Sequence, residues 1–176
     1  MPFTPFHMGP GLAIKAFGGR YFSVLVFGIA QVAMDIEPLI GMIRGSDVLH
    51  GWSHSYVGAT ALGVLVMLLA PPLCRPILRR WNGELQHHQL GWLTSPEEIG
   101  LPASASGAFA GTYTHVVLDS IMHTDITPLS PWSTANGLQG YISINALHSV
   151  CVITGLFGVA AWFIAGLRQR RQRRES

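Results

Sequence analysis

Apolar positions gather into five long stretches, from about Phe3 to Phe17, Tyr21 to Ile36, Ser55 to Cys74, Leu101 to Met122 and Gly140 to Leu167. Each predicts a helix. A helix crossing a bilayer needs about 20 residues at 1.5 Å each, so the last three stretches are long enough and the first two are short. Gly18-Gly19-Arg20 joins those two as a tight turn and predicts a hairpin with both ends on one side. The expected fold is an all-α integral membrane helical bundle of four to five helices, with the first two as a short hairpin. It forms one membrane-embedded domain over 1–176, with a basic tail over 168–176. No internal repeat is visible.

Composition supports a lipid-embedded chain. Of 176 residues, 49% are apolar and 11% charged, against roughly 25% charged in soluble domains. The mean hydropathy of +0.36 excludes a disordered polar chain. A formal charge of +2 is too small to imply a nucleic-acid partner. Where the charges sit says more than their sum. Lys15 and Arg20 flank the first turn, Arg75, Arg79 and Arg80 follow the third stretch, and Arg168, Arg170, Arg171, Arg173 and Arg174 follow the fifth. If the stretches alternate across the membrane, ten of the eleven basic residues fall on one side and only Arg44 on the other. Because cytoplasmic flanks collect Lys and Arg, the expectation is an inner (cell) membrane protein with its N-terminus out and its C-terminus cytoplasmic. A four-helix version with the N-terminus inside fits the charges equally well and changes only the placement of His7. With no basic residue before Lys15, the first twenty residues do not read as a cleaved signal peptide. Cys74 and Cys151 share no ligand spacing with any histidine and read as small apolar fillers. Ser95-Pro96-Glu97-Glu98 reads as the start of the fourth helix, with Ser95 as its cap.

Ionisable groups inside apolar segments are expensive and tend to mark function. In this topology His7, His50, His54, His115, His123 and His148 share the outer half with Asp35, Asp119 and Asp125, while His87 and His88 lie in the cytoplasmic loop. His115, Asp119 and His123 are spaced by four, and Gly107 and Gly111 continue that row, which would be one helix face carrying both polar groups and a close-packing seam. His50, His54 and Gly58 repeat the spacing at the next segment toward the N-terminus. Asp35 and Glu37 end the second segment before Pro38, and the hairpin returns His7 to the same level. Imidazoles and carboxylates at one depth suit Zn²⁺ or Mn²⁺, and a metal offsets the cost of bringing carboxylates into an apolar bundle. The plainer readings are that His148 is a hydrogen-bonded packing residue, that Glu37 and Asp125 face water, and that Asp47 is solvated.

Thr4-Pro-Phe-His7, Asp35-Ile-Glu37, His50-Gly-Trp-Ser-His54-Ser55 and His115-x-x-x-Asp119 together resemble the bacterial inner-membrane metal-dependent hydrolase family. Their order also resembles the zinc-dependent phospholipase C and single-strand nuclease superfamily, which holds a zinc cluster within a helical bundle. The likeness spans His7 to about Asp125. It implies His7, Asp35, His54, His115 and Asp119 as metal ligands, with His50 and His123 as further ligands or their supports. The soluble enzymes add a late His-x-x-x-Glu pair, whereas here Val152 stands four residues after His148, so one or two zinc ions are expected rather than three.

The expected activity is hydrolysis of a phosphoester or lipid-like ester by metal-activated water, with Asp35 or Asp119 bridging two ions and steering that water. Gly51-Trp-Ser53-His lacks the closing glycine of a serine nucleophile elbow. The loop from Thr124 to Gly137, with Trp132, would cover the site as a lid or membrane anchor, and membrane lipids are the expected surroundings. Two rivals belong to other classes: a transporter passing protons or divalent cations, and a non-catalytic membrane factor with a structural metal. Transporters usually place such groups at the midplane between related halves, which this chain lacks.

Overall fold

The computed structural model describes residues 5–175, and every element among them is helical. Helix α1 spans Met8–Gly18, α2 Val24–Arg44, α3 Tyr56–His87, α4 Leu101–Met122 and α5 Ile144–Glu175, with single 3-10 turns at Pro5–His7, Gly19–Tyr21, Trp52–His54 and Gly91–Leu93. The expected Phe3 and Thr4 at the chain start lie outside the described residues, as do the side chains of Arg173 and Arg174. Among the described residues, α2, α3 and α5 are long and apolar enough to cross a membrane.

That set differs from the expectation. With 11 residues, α1 is roughly 16 Å long and half a bilayer deep. The second helix is not short: it runs 21 residues through Pro38 to Arg44, about 31 Å. Pro38 cannot donate to the Met34 carbonyl, yet a transmembrane helix tolerates this where neighbours pack around the break, and Pro38 is buried. Asp35 and Glu37 are therefore inside a helix rather than at its end. Helix α4 has the length, at 22 residues, without the apolar composition. Half of its residues are buried, so its Ser, Thr and Gly positions face other helices instead of lipid. The expected Ser95 cap is not formed. Helix α4 starts after Gly100 with Pro102 in its first turn, and the Ser95 backbone is held by both ends of the Asn82 amide. Glu97 and Glu98 turn back to Arg79 and Arg75. The third helix outlasts its apolar stretch and continues to His87, and α5 carries the basic run as an unbroken helical extension.

Helices α2 and α4 run parallel and in register. The Ser23 amide donates to the Ala103 carbonyl, and Gly107 and Gly111 lie against the α2 backbone at Ser23 and Phe27. Helix α3 returns antiparallel, with Ser104 Oγ donating to the Met67 carbonyl and Thr60 meeting Tyr113 at 2.8 Å. Helix α1 does fold back on α2, where Gly11 meets the Phe27 ring, but its longer neighbour is α5, against which Gly9, Gly155 and Gly158 bring the two backbones together. Five of the six basic residues from Lys15 to Arg80, all but Arg44, thus lie at the end of the bundle away from His54 and His115, joined there by Arg170 over the Trp92 ring. Cys74 and Cys151 are free, buried and packed among apolar side chains, as expected.

The glycine seam gives a direct test. A Cβ at Gly111 would sit 2.6 Å from the Ala30 Cβ and 2.9 Å from the Phe27 carbonyl oxygen, whereas one at Gly83 meets nothing within 4 Å. Gly111→Leu is expected to destabilise the detergent-solubilised protein by about 1–3 kcal/mol, and Gly83→Ala to stabilise it by up to about 1 kcal/mol. Thermal unfolding of the two variants beside the wild type checks both signs.

Candidate metal centre

Asp35 and His115 stand level, both about 18 Å along their helices from the Ser23–Ala103 contact. Helix α2 continues roughly 13 Å past Asp35 to Arg44. The cluster therefore lies below the helix ends, just past the middle of α2 and nearer the end of α4. Asp119, one turn beyond His115, is its centre. His115 Nε2 is 3.1 Å and His54 Nε2 3.4 Å from Asp119 Oδ2, His50 Nε2 is 4.0 Å from the same oxygen, and His7 Nε2 is 3.4 Å from Oδ1. His115 Nε2 is also 3.4 Å from Asp35 Oδ1. One ligand atom from each of Asp35, His54, His115 and Asp119 falls within 4.8 Å of the others. Ligands of one tetrahedral ion at about 2.0–2.1 Å are roughly 3.3 Å apart, so the observed spacings fit a shared cation.

The nitrogen atoms support that fit. Among the described residues, buried His54 Nε2, His115 Nε2 and both ring nitrogens of His7 have no hydrogen-bond partner. Buried polar atoms are rarely left so, and a missing ion is one explanation. The other nitrogens of the central rings are engaged. His115 Nδ1 is 2.6 Å from Gln31 Oε1, and the Gln31 amide is oriented by its own donation to the Gly111 carbonyl and Thr114 Oγ1 at 3.2 Å. His54 Nδ1 is 2.9 Å from Ser53 Oγ, whose hydroxyl donates to Glu37. His50 Nδ1 is 2.8 Å from Asp125 Oδ1.

Several site expectations change. Only α4 supplies a histidine-bearing helix row, because His50 lies in a loop and His54 in the Trp52–His54 turn, folded against Gly58 so closely that a Cβ there would overlap the Trp52 carbonyl. His123 leaves the α4 row: the helix ends at Met122, and the His123 ring lies 4.3 Å from that of His50, half-buried. It groups instead with His50 and Asp125. Glu37 and Asp125 do not simply face water. Glu37 accepts from the Trp52 and Ser53 amides, and Asp125 accepts from the Leu49 and His50 amides as well as holding the His50 ring. His148 stacks on Phe6 away from the cluster, His87 and His88 are exposed at the far end, and Asp47 is exposed. Gln31 was not singled out in the sequence, and Ser53 only as a serine that lacks the surroundings of a nucleophile. Gln31 did carry a signal, as the one amide in an apolar run and four residues before Asp35.

Residues 123–143 close over this end. The Pro128 carbonyl accepts from the Tyr56 amide, and Asn136 donates to the Ser120 carbonyl. Trp132 and Tyr141 project outward, each 80% exposed. The chain matches the DUF4184 family, described as a domain of unknown function, over residues 1–176.

It belongs to that family.

No curated protein and no solved structure matches the chain.

Outside the helices that cross, burial pushes the His7 imidazole down to about 4, against the attraction of Asp119, and lowers that of His54. For Asp125 burial alone would raise the carboxyl, but the His50 ring and the Leu49 and His50 amides outweigh it and hold it near about 2. Both imidazoles are thus neutral at neutral pH, as ligation requires. The unfolded chain takes up a proton at each near pH 6.5, while folded His7 resists it down to about 4. Metal-free protein is therefore expected to lose stability as pH falls through that window and to level off below it. Replacing His7 with Gln should flatten the profile, as read by thermal unfolding across buffered pH.

Proposed function

We propose that this protein is a membrane-bound metal-dependent hydrolase acting on a phosphoester or lipid-like ester at the non-cytoplasmic face of the inner membrane. The observation that carries the reading is the convergence of the unpartnered Nε2 atoms of His54 and His115 on Asp35 and Asp119 in a buried cluster. Two carboxylates and at least two imidazoles are a borderline-to-hard donor set that suits Zn²⁺, with Mn²⁺ as a second fit. An ion held there supplies Lewis acidity and lowers the pKa of water toward about 7.

The chain's own groups do the rest. His54, His115 and the Oδ2 side of Asp119 would hold the ion, with Asp35 as the fourth ligand or, when displaced, the base that orients water. The Oδ1 side of Asp119 faces His7, which is free to contact a substrate oxygen or a second ion. The clustering of Lys and Arg at the far end supports a cytoplasmic C-terminus and an extracytoplasmic site. Exposed Trp52, Trp132 and Tyr141 around the near end suit the headgroup layer, which supports a substrate drawn from lipid. Transport is less well supported, since the sequence shows no repeat relating two halves and the cluster lies beneath a loop tied down by hydrogen bonds.

Metal analysis of purified protein is expected to find about one or two zinc ions per chain, reduced to background in His115→Ala and Asp119→Ala. Phosphodiesterase and lipase assays on mixed micelles should show hydrolysis by wild type, falling at least about a hundredfold in either variant. Wild-type protein that carries no metal, or hydrolysis that survives both substitutions, would reject the proposal. Metal retained without hydrolysis of any ester points to the structural-metal alternative, which has no open coordination position.

A further inference from the structure

Three imidazoles of the cluster come from three different segments, yet each presents the same edge to Asp119. His50 offers Nε2 from a loop, His54 from a 3-10 turn and His115 from α4. In each, Nδ1 meets a different group: Asp125 Oδ1 for His50, Ser53 Oγ for His54 and Gln31 Oε1 for His115. These groups share one property, which is that in this setting they accept. Asp125 is a carboxylate. The Ser53 hydroxyl hydrogen is already given to Glu37, which leaves its oxygen as the acceptor toward His54. The Gln31 nitrogen is committed to the Gly111 carbonyl and Thr114 Oγ1, so its oxygen faces His115. An imidazole donating from Nδ1 carries its lone pair on Nε2.

We infer that Gln31, Ser53 with Glu37, and Asp125 are positioning residues that fix the neutral rings of His115, His54 and His50 in the Nδ1–H tautomer, so that the three Nε2 edges face the Asp35–Asp119 cluster and are the ones offered to a ligand. This rests on the metal reading of the pocket and deepens it by naming the groups that set ligand orientation. Partners of this kind typically change metal affinity 10–100-fold when removed. Gln31 is the most informative member. It is buried on α2, four residues before Asp35, and among the described residues its hydrogen bond to the cluster is the one to the His115 ring. Helix propensity and burial alone would favour an apolar residue there. An amide in an apolar helix costs stability unless its hydrogen bonds are made, and all of those seen for Gln31 run to α4.

The test reads the tautomers directly by ¹⁵N NMR of labelled histidine in metal-free protein at alkaline pH, where the rings are neutral, and reads Zn²⁺ affinity separately by chelator competition. Wild type is expected to show Nδ1–H for His50, His54 and His115. Gln31→Leu should release His115 alone from that form and weaken Zn²⁺ by 10–100-fold. Gln31→Glu keeps an acceptor oxygen and should restore the tautomer. Ser53→Ala should release His54 and leave His115 unchanged, which separates a local effect from loss of fold. An Nε2–H signal for His115 in the wild type overturns the inference, as does a Gln31→Leu variant with unaltered tautomer and affinity. Wild type with all three rings in the Nδ1–H form but no Zn²⁺ binding rejects the metal reading while leaving the tautomer assignment in place.

Discussion

The Asp119 carboxylate sets the terms for the rest of the bundle. It is buried among four imidazoles within a bundle three of whose helices are long and apolar enough to cross a membrane. An isolated carboxylate there would cost far more than the few kcal/mol by which a domain of this size is stable. Its neighbours must supply compensation from every direction, and they do so from the turn before α1, from α4 and from the loop and turn between α2 and α3. Much of the architecture can be understood as the means of bringing those segments to one point. Helix α4 carries the carboxylate and, with half of its residues buried, has no need of the continuous apolar surface that α2, α3 and α5 carry. The apolar requirement falls on α2, α3 and α5, whose outer faces would meet lipid.

Close approach is the second constraint. Imidazole nitrogens within 3.1–3.4 Å of one carboxylate demand backbones nearer than large side chains allow. Gly107 and Gly111 let α4 settle on α2, and Gly9, Gly155 and Gly158 let α1 settle on α5. Seated so, α1 can be half a bilayer long and still deliver His7 to the pocket. The turn that carries His54 is secured differently, by Glu37 accepting from two consecutive amides and a hydroxyl. Glu37 is thereby an ordering residue, although it lies on the same helix as Asp35 and only two positions away.

These two constraints explain what could be read from the sequence. The helical bundle was legible in the long apolar stretches, and the common level of the histidines followed from stretch lengths and the alternation of basic flanks. The spacing of His115 and Asp119 on one helix face was visible because four residues make about one turn. What escaped depends on contacts between distant segments. Pro38 looks like a terminator in isolation, and only packing around it lets α2 continue. His50 and His54 are spaced as a helix row would be, yet the chain between them forms a turn whose hydrogen bonds go to Glu37 on another element. Ser95 has the composition of a cap, but Asn82 claims its backbone first. Asp125 and Gln31 acquire their parts only once the rings they hold are in place.

The arrangement of the ring nitrogens also bears on which class of chemistry the pocket suits. An imidazole that relays protons accepts on one nitrogen and releases from the other, so both must lead somewhere that can exchange a proton. For His115 the Nδ1 side leads to a carboxamide oxygen, and the Gln31 nitrogen beyond it is bound to a backbone carbonyl and a threonine hydroxyl. An amide neither takes up nor passes on a proton at ordinary pH, so this path ends at α2. A ligand histidine has the opposite need: one nitrogen immobilised and the other left as a lone pair. The surroundings of His115, with Nδ1 held and Nε2 unpartnered against two carboxylates, meet that need. The same geometry that makes the ring a poor proton carrier makes it a good fixed ligand, which is why the proposed hydrolase is favoured over a proton transporter built on this cluster.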